Sequence, residues 1–213
     1  IDWMKKSGAK VQNLLTKGSM NHLTHQLKKT PEQHFKEIEN AIAEAAKEGI
    51  STNVYLEDWS NGMRNSKEYV FQFIDFLSTQ PIKRVLLPDT LGILTYTETH
   101  QFISEIVQRY PKMHFDFHGH NDYDLSVSNV MEAIKAGCHG LHLTVNGMGE
   151  RAGNAPMASA IAVINDFMPE IEVTVNESSL YKVSKLVSAF TGFGIPANKP
   201  IVGDNVFTQT AGI

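Results

Sequence analysis

The sequence predicts an α/β fold of the (βα)8 TIM-barrel type, present as about five strand–helix units, on three observations. Short apolar segments begin near residues 11, 52, 82, 113 and 138 and alternate with segments of helical periodicity. Their spacing of roughly 30 residues is the length of one strand–helix unit. Polar residues follow the end of each apolar segment, and a barrel collects such residues from several strands at one rim.

A doubly wound open sheet shows the same alternation and is the second architecture that fits. That fold gathers its binding residues at one switch point and carries a glycine-rich turn after its first strand. No such turn follows residues 11–15, which favours the barrel. Because a complete barrel has eight strands in about 250 residues, we expect strands four to eight of a catalytic barrel over residues 1–170. A helix and the start of a linker are expected over residues 171–213.

Each predicted element has local signals in the sequence. Thr30 and Pro31 are typical of a helix start, and apolar residues follow at helical spacing until Gly49. Strands are predicted over residues 11–15, 52–56, 82–87, 113–117 and 138–145. Helices are predicted over residues 1–9, 30–49, 66–78, 95–110, 125–136, 155–167 and 177–190, with a loop over 192–200.

Composition narrows the class of protein. The net charge is −4, with 20% charged residues, which argues against a nucleic-acid-binding surface. The chain contains no apolar run of about 18 residues, so we expect no membrane span. A lone cysteine, Cys138, excludes an internal disulfide and is expected to be a core residue. These features are typical of a cytoplasmic protein.

His118 and His120 form the strongest candidate site. Residues two apart in an extended segment face the same side, which is the spacing that a metal ion needs from two nitrogen ligands. Asn154, in the glycine-rich segment 147–154, could add an amide oxygen to a divalent ion. The alternative to a metal site is that His118 and His120 are simply polar residues at a strand end. Asn154 could likewise be the N-cap of the next helix. The other seven histidines lack such a partner; most are expected at the surface, whereas His142 lies in a predicted strand.

Three further residues at predicted strand ends could contribute to a site. Glu57 could act as a general base or orient one, and alternation places Tyr55 on the same side. Thr90 could donate to a substrate carboxylate. As alternatives, Glu57 could be a solvated acid beside Asp58, and Thr90 could belong to a turn over residues 88–92.

These motifs together resemble a known family. They read Leu-Pro-Asp-Thr-Leu-Gly at 87–92, His-Gly-His-Asn-Asp at 118–122 and Asn-Gly-Met-Gly-Glu-Arg-Ala-Gly-Asn at 146–154. In this order they resemble the isopropylmalate, homocitrate and citramalate synthases, which are metal-dependent TIM barrels, and the resemblance covers residues 1–213. It implies that His118, His120 and Asn154 bind a divalent metal (Mg, Mn or Zn), that Thr90 holds a 2-oxoacid carboxylate and that Glu57 is catalytic.

The resemblance also implies a reaction, in which acetyl-CoA condenses with a metal-bound 2-oxoacid and the thioester is then hydrolysed. The family's fourth ligand, an Asp beside a catalytic Arg, belongs to the first barrel strand, which is absent from these 213 residues. A His and a Tyr for base catalysis usually follow the barrel, beyond residue 213.

Within the family, residues 13–19 and 55–62 look most like citramalate synthase, where Leu15 and Tyr55 would narrow the pocket around pyruvate. Isopropylmalate synthase, acting on 2-oxoisovalerate, and homocitrate synthase are the alternatives. A lyase is disfavoured because the glycine-rich segment contains no Cys. The alternative to an enzyme is a barrel fragment without catalytic activity. As partners we expect small molecules and a second copy of the chain in a homodimer, with no nucleic acid and no membrane.

Overall fold

The computed structural model describes residues 1–209, which form a parallel sheet with strands in sequential order. The strands are β1 (Val11–Lys17), β2 (Ser51–Glu57), β3 (Ile82–Asp89), β4 (Phe115–Gly119) and β5 (Gly140–His142). Each strand pairs in parallel with the next one in the chain. A sequential order contains no switch point, so the sheet is an arc of a barrel, as predicted, and not a doubly wound sheet.

Helices connect the strands and cover the convex face of the arc. They are α1 (Asp2–Ser7), α2 (Met20–His22), α3 (Pro31–Lys47), α4 (Trp59–Asn65), α5 (Lys67–Ser78), α6 (Tyr96–Arg109), α7 (Ser126–Lys135), α8 (Met157–Phe167) and α9 (Leu180–Thr191). A π-helical turn at Leu23–Leu27 extends α2. Thr30 and Thr95 both form capping boxes, which confirms the predicted starts of α3 and α6.

The hydrophobic core lies between the sheet and these helices. On β2, Val54 and Leu56 are fully buried on the helix side, whereas Tyr55 and Glu57 are half-buried on the concave side. The same core includes Phe115 of β4, which is fully buried. Burial of each such side chain contributes about 1.5–3 kcal/mol. Because the helix side is filled mainly with apolar groups, charged side chains such as Glu57 lie on the concave face and stay partly exposed.

Several predicted boundaries need correction. The first strand continues to Lys17, so it includes Thr16, which is buried on the helix side with its hydroxyl donating to the Tyr55 carbonyl at 2.6 Å. The last strand has only the three residues Gly140–His142, since Asn146 lies at φ +60° and bends the chain into a 3-10 turn. Helix α4 was not predicted, because its polar sequence gives no apolar periodicity although Trp59 is fully buried.

The segment after α8 packs back onto the arc. Helix α9 contacts the turn after β5, where the Asn146 side chain donates to the Ser184 carbonyl at 3.0 Å. Val202 is buried against Ile161 and Leu180, in a part of the chain predicted to be a linker. The end of that predicted linker, residues 210–213, lies outside the described residues, and the domain boundary at residue 170 stays a prediction. Among residues 1–209 no helix has the length and apolar character required to cross a membrane.

Candidate active site

His118 and His120 project from the end of β4 with their imidazoles close together. Their Nε2 atoms lie 3.4 Å apart, so both can bind one ion at ordinary bond lengths of about 2.1 Å. Burial, with a smaller contribution from the charges of His120 and His142, lowers the pKa of His118 to about 4. Burial also lowers the pKa of His120, helped by Arg151. Both rings are therefore neutral at physiological pH and have the lone pairs that a metal requires.

Asn154 lies directly beside His120, across an isolated antiparallel bridge. Hydrogen bonds from Asn121 N to Gly153 O and from Ala155 N to Gly119 O, at 2.9 and 3.0 Å, fix this bridge. Residues opposite each other in such a pair project to the same face. Helix α8 begins at Met157 with Pro156 as its N-cap, so the alternative that Asn154 caps the helix is wrong.

The donor atoms at this site fit a divalent ion. Asn154 Nδ2 donates to the Met148 carbonyl at 3.1 Å, and its Oδ1 is buried without a hydrogen-bond partner in residues 1–209. A buried oxygen without a partner is costly, and a cation would remove that cost. Within the same described range no group of three or more His, Cys, Asp or Glu side chains lies close enough together to hold a metal ion. The candidate set is instead two imidazoles and an amide, which suits an ion that keeps open positions.

Thr90 lies at the end of β3, on the same rim. Its hydroxyl oxygen accepts a hydrogen bond from the Asp58 N–H at 2.8 Å, while the Pro88 carbonyl is 3.5 Å away. This leaves the hydroxyl proton weakly bound and able to donate to a carboxylate. Asp89 is buried and accepts hydrogen bonds from the Ile93 and Leu94 N–H groups at 3.1 and 3.0 Å. The side chain that stabilises the turn of this segment is therefore that of Asp89.

Glu57, Tyr55 and Leu15 lie together on the concave face. Leu15 is opposite Tyr55 in the register of β1 and β2, and Lys17 is opposite Glu57, with which it forms an ion pair. Alternation of side chains thus places Tyr55 and Glu57 on one side, as the sequence predicts. Leu15 is 62% exposed, since β1 pairs on one edge only among the described strands.

Two charged residues that lie next to the predicted site residues, Asp116 and Lys17, were not predicted. Asp116 is buried and accepts hydrogen bonds from Arg84 and His114 at 3.1 and 2.7 Å. Burial alone would raise the pKa of Asp116, but hydrogen bonds from His142 and Arg84 lower it to about 2. Lys17 is the second. Alternation was the missed signal, because Asp116 precedes His118 by two residues and Lys17 follows Leu15 by two.

His34 is an exception to the expectation that most of the remaining histidines lie at the surface. Its side chain is 3% exposed, and Nδ1 lies 3.0 Å from the Tyr69 hydroxyl. Burial lowers the pKa of His34 to about 4. His34 is therefore a neutral core residue between α3 and α5.

Fold and site together define a class of protein, an arc of a parallel barrel whose strand ends bring two imidazoles and an amide oxygen to one place. The sequence profile of the HMGL-like family matches residues 2–187, and the chain belongs to this family.

Curated relatives place the chain more closely. The probable 2-isopropylmalate synthase of Ignicoccus hospitalis is 36% identical over 192 residues, which are 90% of this chain and 47% of that protein. The homocitrate synthase of Sulfolobus acidocaldarius is 31% identical over 195 residues, or 92% of this chain and 41% of that protein. These relatives confirm the resemblance to the synthase group. The chain spans less than half the length of either protein.

Solved structures confirm the fold. The HMG-CoA lyase of Bacillus subtilis matches with a TM-score of 0.79 at 17% identity, over 92% of this chain and 68% of that one. The hydroxymethylglutaryl-CoA lyase of Pseudomonas aeruginosa matches with a TM-score of 0.77 at 17% identity, over 91% and 67%. At this identity the likeness concerns architecture and carries no statement about the reaction.

Proposed function

We propose that this chain forms the greater part of a catalytic barrel that condenses acetyl-CoA with a short 2-oxoacid. The observation that carries the proposal is the 3.4 Å separation of the His118 and His120 Nε2 atoms, at a rim that also holds Thr90 and Glu57. The relatives named 2-isopropylmalate synthase and homocitrate synthase support the same class of reaction.

In the proposed reaction the methyl carbon of acetyl-CoA gives up a proton and forms a carbon–carbon bond to the ketone carbon of the 2-oxoacid. The ketone oxygen gains a proton and becomes a tertiary hydroxyl. Water then cleaves the thioester, releasing free CoA and leaving a second carboxylate on the product. Proton transfers of this kind require positioned acids and bases.

His118, His120 and Asn154 would hold the divalent ion, which supplies polarisation of the ketone when bound. Thr90 would bind the substrate carboxylate, because the Asp58 N–H occupies a lone pair of its hydroxyl oxygen and only the long 3.5 Å contact to the Pro88 carbonyl competes for its proton. The Glu57 carboxylate, held in place by Lys17, would take or hold a proton at the reacting centre.

The preferred substrate in this proposal is pyruvate, giving citramalate. Leu15 and Tyr55 lie side by side in the register of β1 and β2 and would form a wall around the substrate's methyl group. The second candidate is 2-oxoisovalerate, which the name of the Ignicoccus relative favours. One methyl or methylene group changes the free energy of discrimination by only about 1–3 kcal/mol, so measurement has to decide.

The test is release of CoA by the complete protein from acetyl-CoA with pyruvate, 2-oxoisovalerate or 2-oxoglutarate. Release with pyruvate is expected. No release with any of the three would contradict the proposal and favour a barrel without activity. Leu15→Ala should raise kcat/KM for 2-oxoisovalerate relative to pyruvate about tenfold.

Metal dependence has its own test with a matched control. His118→Ala should abolish both CoA release and binding of Mn²⁺ measured by calorimetry. His100→Ala removes a surface histidine that pairs with Glu132 at 3.1 Å and should leave both unchanged. Unchanged Mn²⁺ binding in His118→Ala would exclude this site as the metal centre.

We also propose that the complete protein is a homodimer. Exposed apolar side chains of α9 and the segment after it support association, namely Leu186, Phe190, Phe193 and Phe207. Light scattering coupled to size exclusion checks the mass, and a monomer at micromolar concentration would contradict the proposal.

A further inference from the structure

A chain of hydrogen bonds crosses the concave face directly beside the candidate metal ligands. Asp116 Oδ2 of β4 lies 3.3 Å from His142 Nε2 of β5, and His142 Nδ1 lies 2.8 Å from the Tyr55 hydroxyl of β2. Strands β3 and β4 separate β2 from β5 in the sheet, so the Tyr55–His142 bond spans the concave side of the arc. The imidazole of His118 packs against both rings, with centroids 6.5 Å from Tyr55 and 5.8 Å from His142.

The partners of each group fix the direction of these hydrogen bonds. The Asp116 carboxylate pairs with the Arg84 guanidinium at 3.1 Å and can only accept. His142 therefore donates from Nε2, and in the neutral imidazole this leaves a lone pair on Nδ1. Tyr55 donates its hydroxyl proton to that lone pair.

The sequence of β5 makes room for this arrangement. Gly140 lies opposite Asp116 in the register of β4 and β5. A Cβ atom at Gly140 would lie 2.3 Å from Asp116 Oδ1, a contact that would displace the carboxylate. Asp116 itself is 1% exposed. The Asp116 carboxylate is thus enclosed by its partners, and its hydrogen bond to Nε2 holds the His142 ring in place.

A consequence follows for the face that Tyr55 presents to the pocket. Because the hydroxyl proton is used by His142, the phenol oxygen can accept a hydrogen bond from a ligand and cannot donate one. The aromatic ring adds apolar surface next to Leu15. Such a wall suits a small uncharged group. It disfavours a carboxylate, because the Tyr55 oxygen would present lone pairs to it and no hydrogen-bond donor.

We propose that His142 and Asp116 are positioning residues that hold Tyr55 as a wall without a donor, and so select 2-oxoacids with a small uncharged side chain over dicarboxylic ones. The inference rests on the proposed function and deepens it. His142 acts through Tyr55 and does not touch the substrate.

The test is a double-mutant cycle in the complete protein. His142→Phe removes the acceptor and frees the Tyr55 proton; it should raise KM for pyruvate about tenfold with kcat nearly unchanged. The same variant should improve kcat/KM for 2-oxoglutarate relative to pyruvate. In a Tyr55→Phe background, His142→Phe should cause no further change, because the hydroxyl that it orients is already gone. His142→Asn, which keeps an acceptor near the Nδ1 position, should recover most of the wild-type KM.

Losses that add fully in the double variant would overturn the inference, because they would show that His142 acts by general support of the fold. His100→Gln, at a surface histidine paired with Glu132, is the control and should leave KM and selectivity unchanged. Nitrogen-15 NMR of His142 gives a readout independent of activity: Nδ1 unprotonated and Nε2 protonated. If wild-type protein turned over no 2-oxoacid, the proposed function would fail while the NMR result still tested the hydrogen-bond chain; a protonated Nδ1 would overturn the inference itself.

Discussion

Arg151 and Asp122 form a bidentate ion pair that joins the glycine-rich loop to the segment after β4. Nε lies 2.7 Å from Oδ1, and Nη2 lies 2.9 Å from Oδ2. Nη2 also donates to the Thr90 carbonyl at 2.7 Å. Arg151 has φ +54°, a left-handed conformation that few residues other than glycine adopt. The contacts therefore hold a loop conformation that Arg151 would not favour alone, and that loop carries Asn154.

We predict that Arg151→Ala lowers the affinity of the complete protein for Mn²⁺ about tenfold, the usual effect of removing a group that orients a metal ligand. Arg151→Lys should recover only part of the loss, because an ammonium cannot form the bidentate pair. Calorimetric titration without substrate measures both. Arg109→Ala, which breaks an exposed pair with Asp75 between α6 and α5 at 2.9 Å, is the matched control. Wild-type affinity in Arg151→Ala would show that the ion pair does not position Asn154.

Gly153 gives a second test of the same loop. It has φ +89°, and a Cβ atom there would lie 2.0 Å from the Gly147 carbonyl oxygen, which accepts the Asn154 N–H at 3.0 Å. Gly153→Ala should therefore displace the loop and abolish measurable Mn²⁺ binding. Gly192→Ala is the control, because Gly192 has φ +74° with open space around it; it should cost only about 1–2 kcal/mol of unfolding free energy and leave Mn²⁺ binding intact.

The strand order and the central histidines could be predicted because each depends on local pattern. Alternating apolar segments and helices at a regular repeat indicate parallel units, and an i, i+2 spacing on a strand places His118 and His120 together whatever surrounds them. The capping sequence at Thr30 is equally local.

The remaining features depend on contacts between distant segments. Nothing near Tyr55 in the sequence indicates that its hydroxyl bonds His142, 87 residues away. Helix α4 depends on burial of Trp59, and tertiary packing of this kind overrides weak local propensity. The last strand ends early because Asn146 adopts a left-handed conformation. Asn tolerates this conformation, but the presence of an Asn in the sequence does not predict it.

Cys138 should be chemically inert in the folded protein. Burial, with a smaller effect of Asp116, raises the pKa of the thiol from 9.0 to about 12, so roughly a thousandfold less thiolate is present at neutral pH. We predict that iodoacetamide modifies the Cys138 peptide at least a hundredfold more slowly in native than in guanidinium-unfolded protein, as measured by mass spectrometry. Comparable rates would contradict packing of the Cys138 side chain against the core.

The Arg64–Glu98 pair between α4 and α6 predicts a defined pH dependence of stability. Arg64 Nε and Nη2 each lie 2.7 Å from a Glu98 carboxylate oxygen. Hydrogen bonding by Arg64, against the effect of burial, lowers the pKa of Glu98 from 4.5 to about 2. Because the folded-state pKa is the lower one, the stabilisation is present above pH 4.5 and is lost as the pH falls towards 2.

We therefore expect the difference in unfolding free energy between wild type and Glu98→Gln to be about 1 kcal/mol at pH 6 and to vanish near pH 2. Water screens the pair, whose side chains are 31% and 28% exposed, so a larger difference is not expected. Urea denaturation of the complete protein at a series of pH values measures it. Glu44→Gln, at an exposed position of α3, is the control and should follow the wild-type curve. Glutamine can keep the cap on Thr95, as Gln33 does on Thr30, so a pH-independent difference would show that the charge of Glu98 does not stabilise the fold.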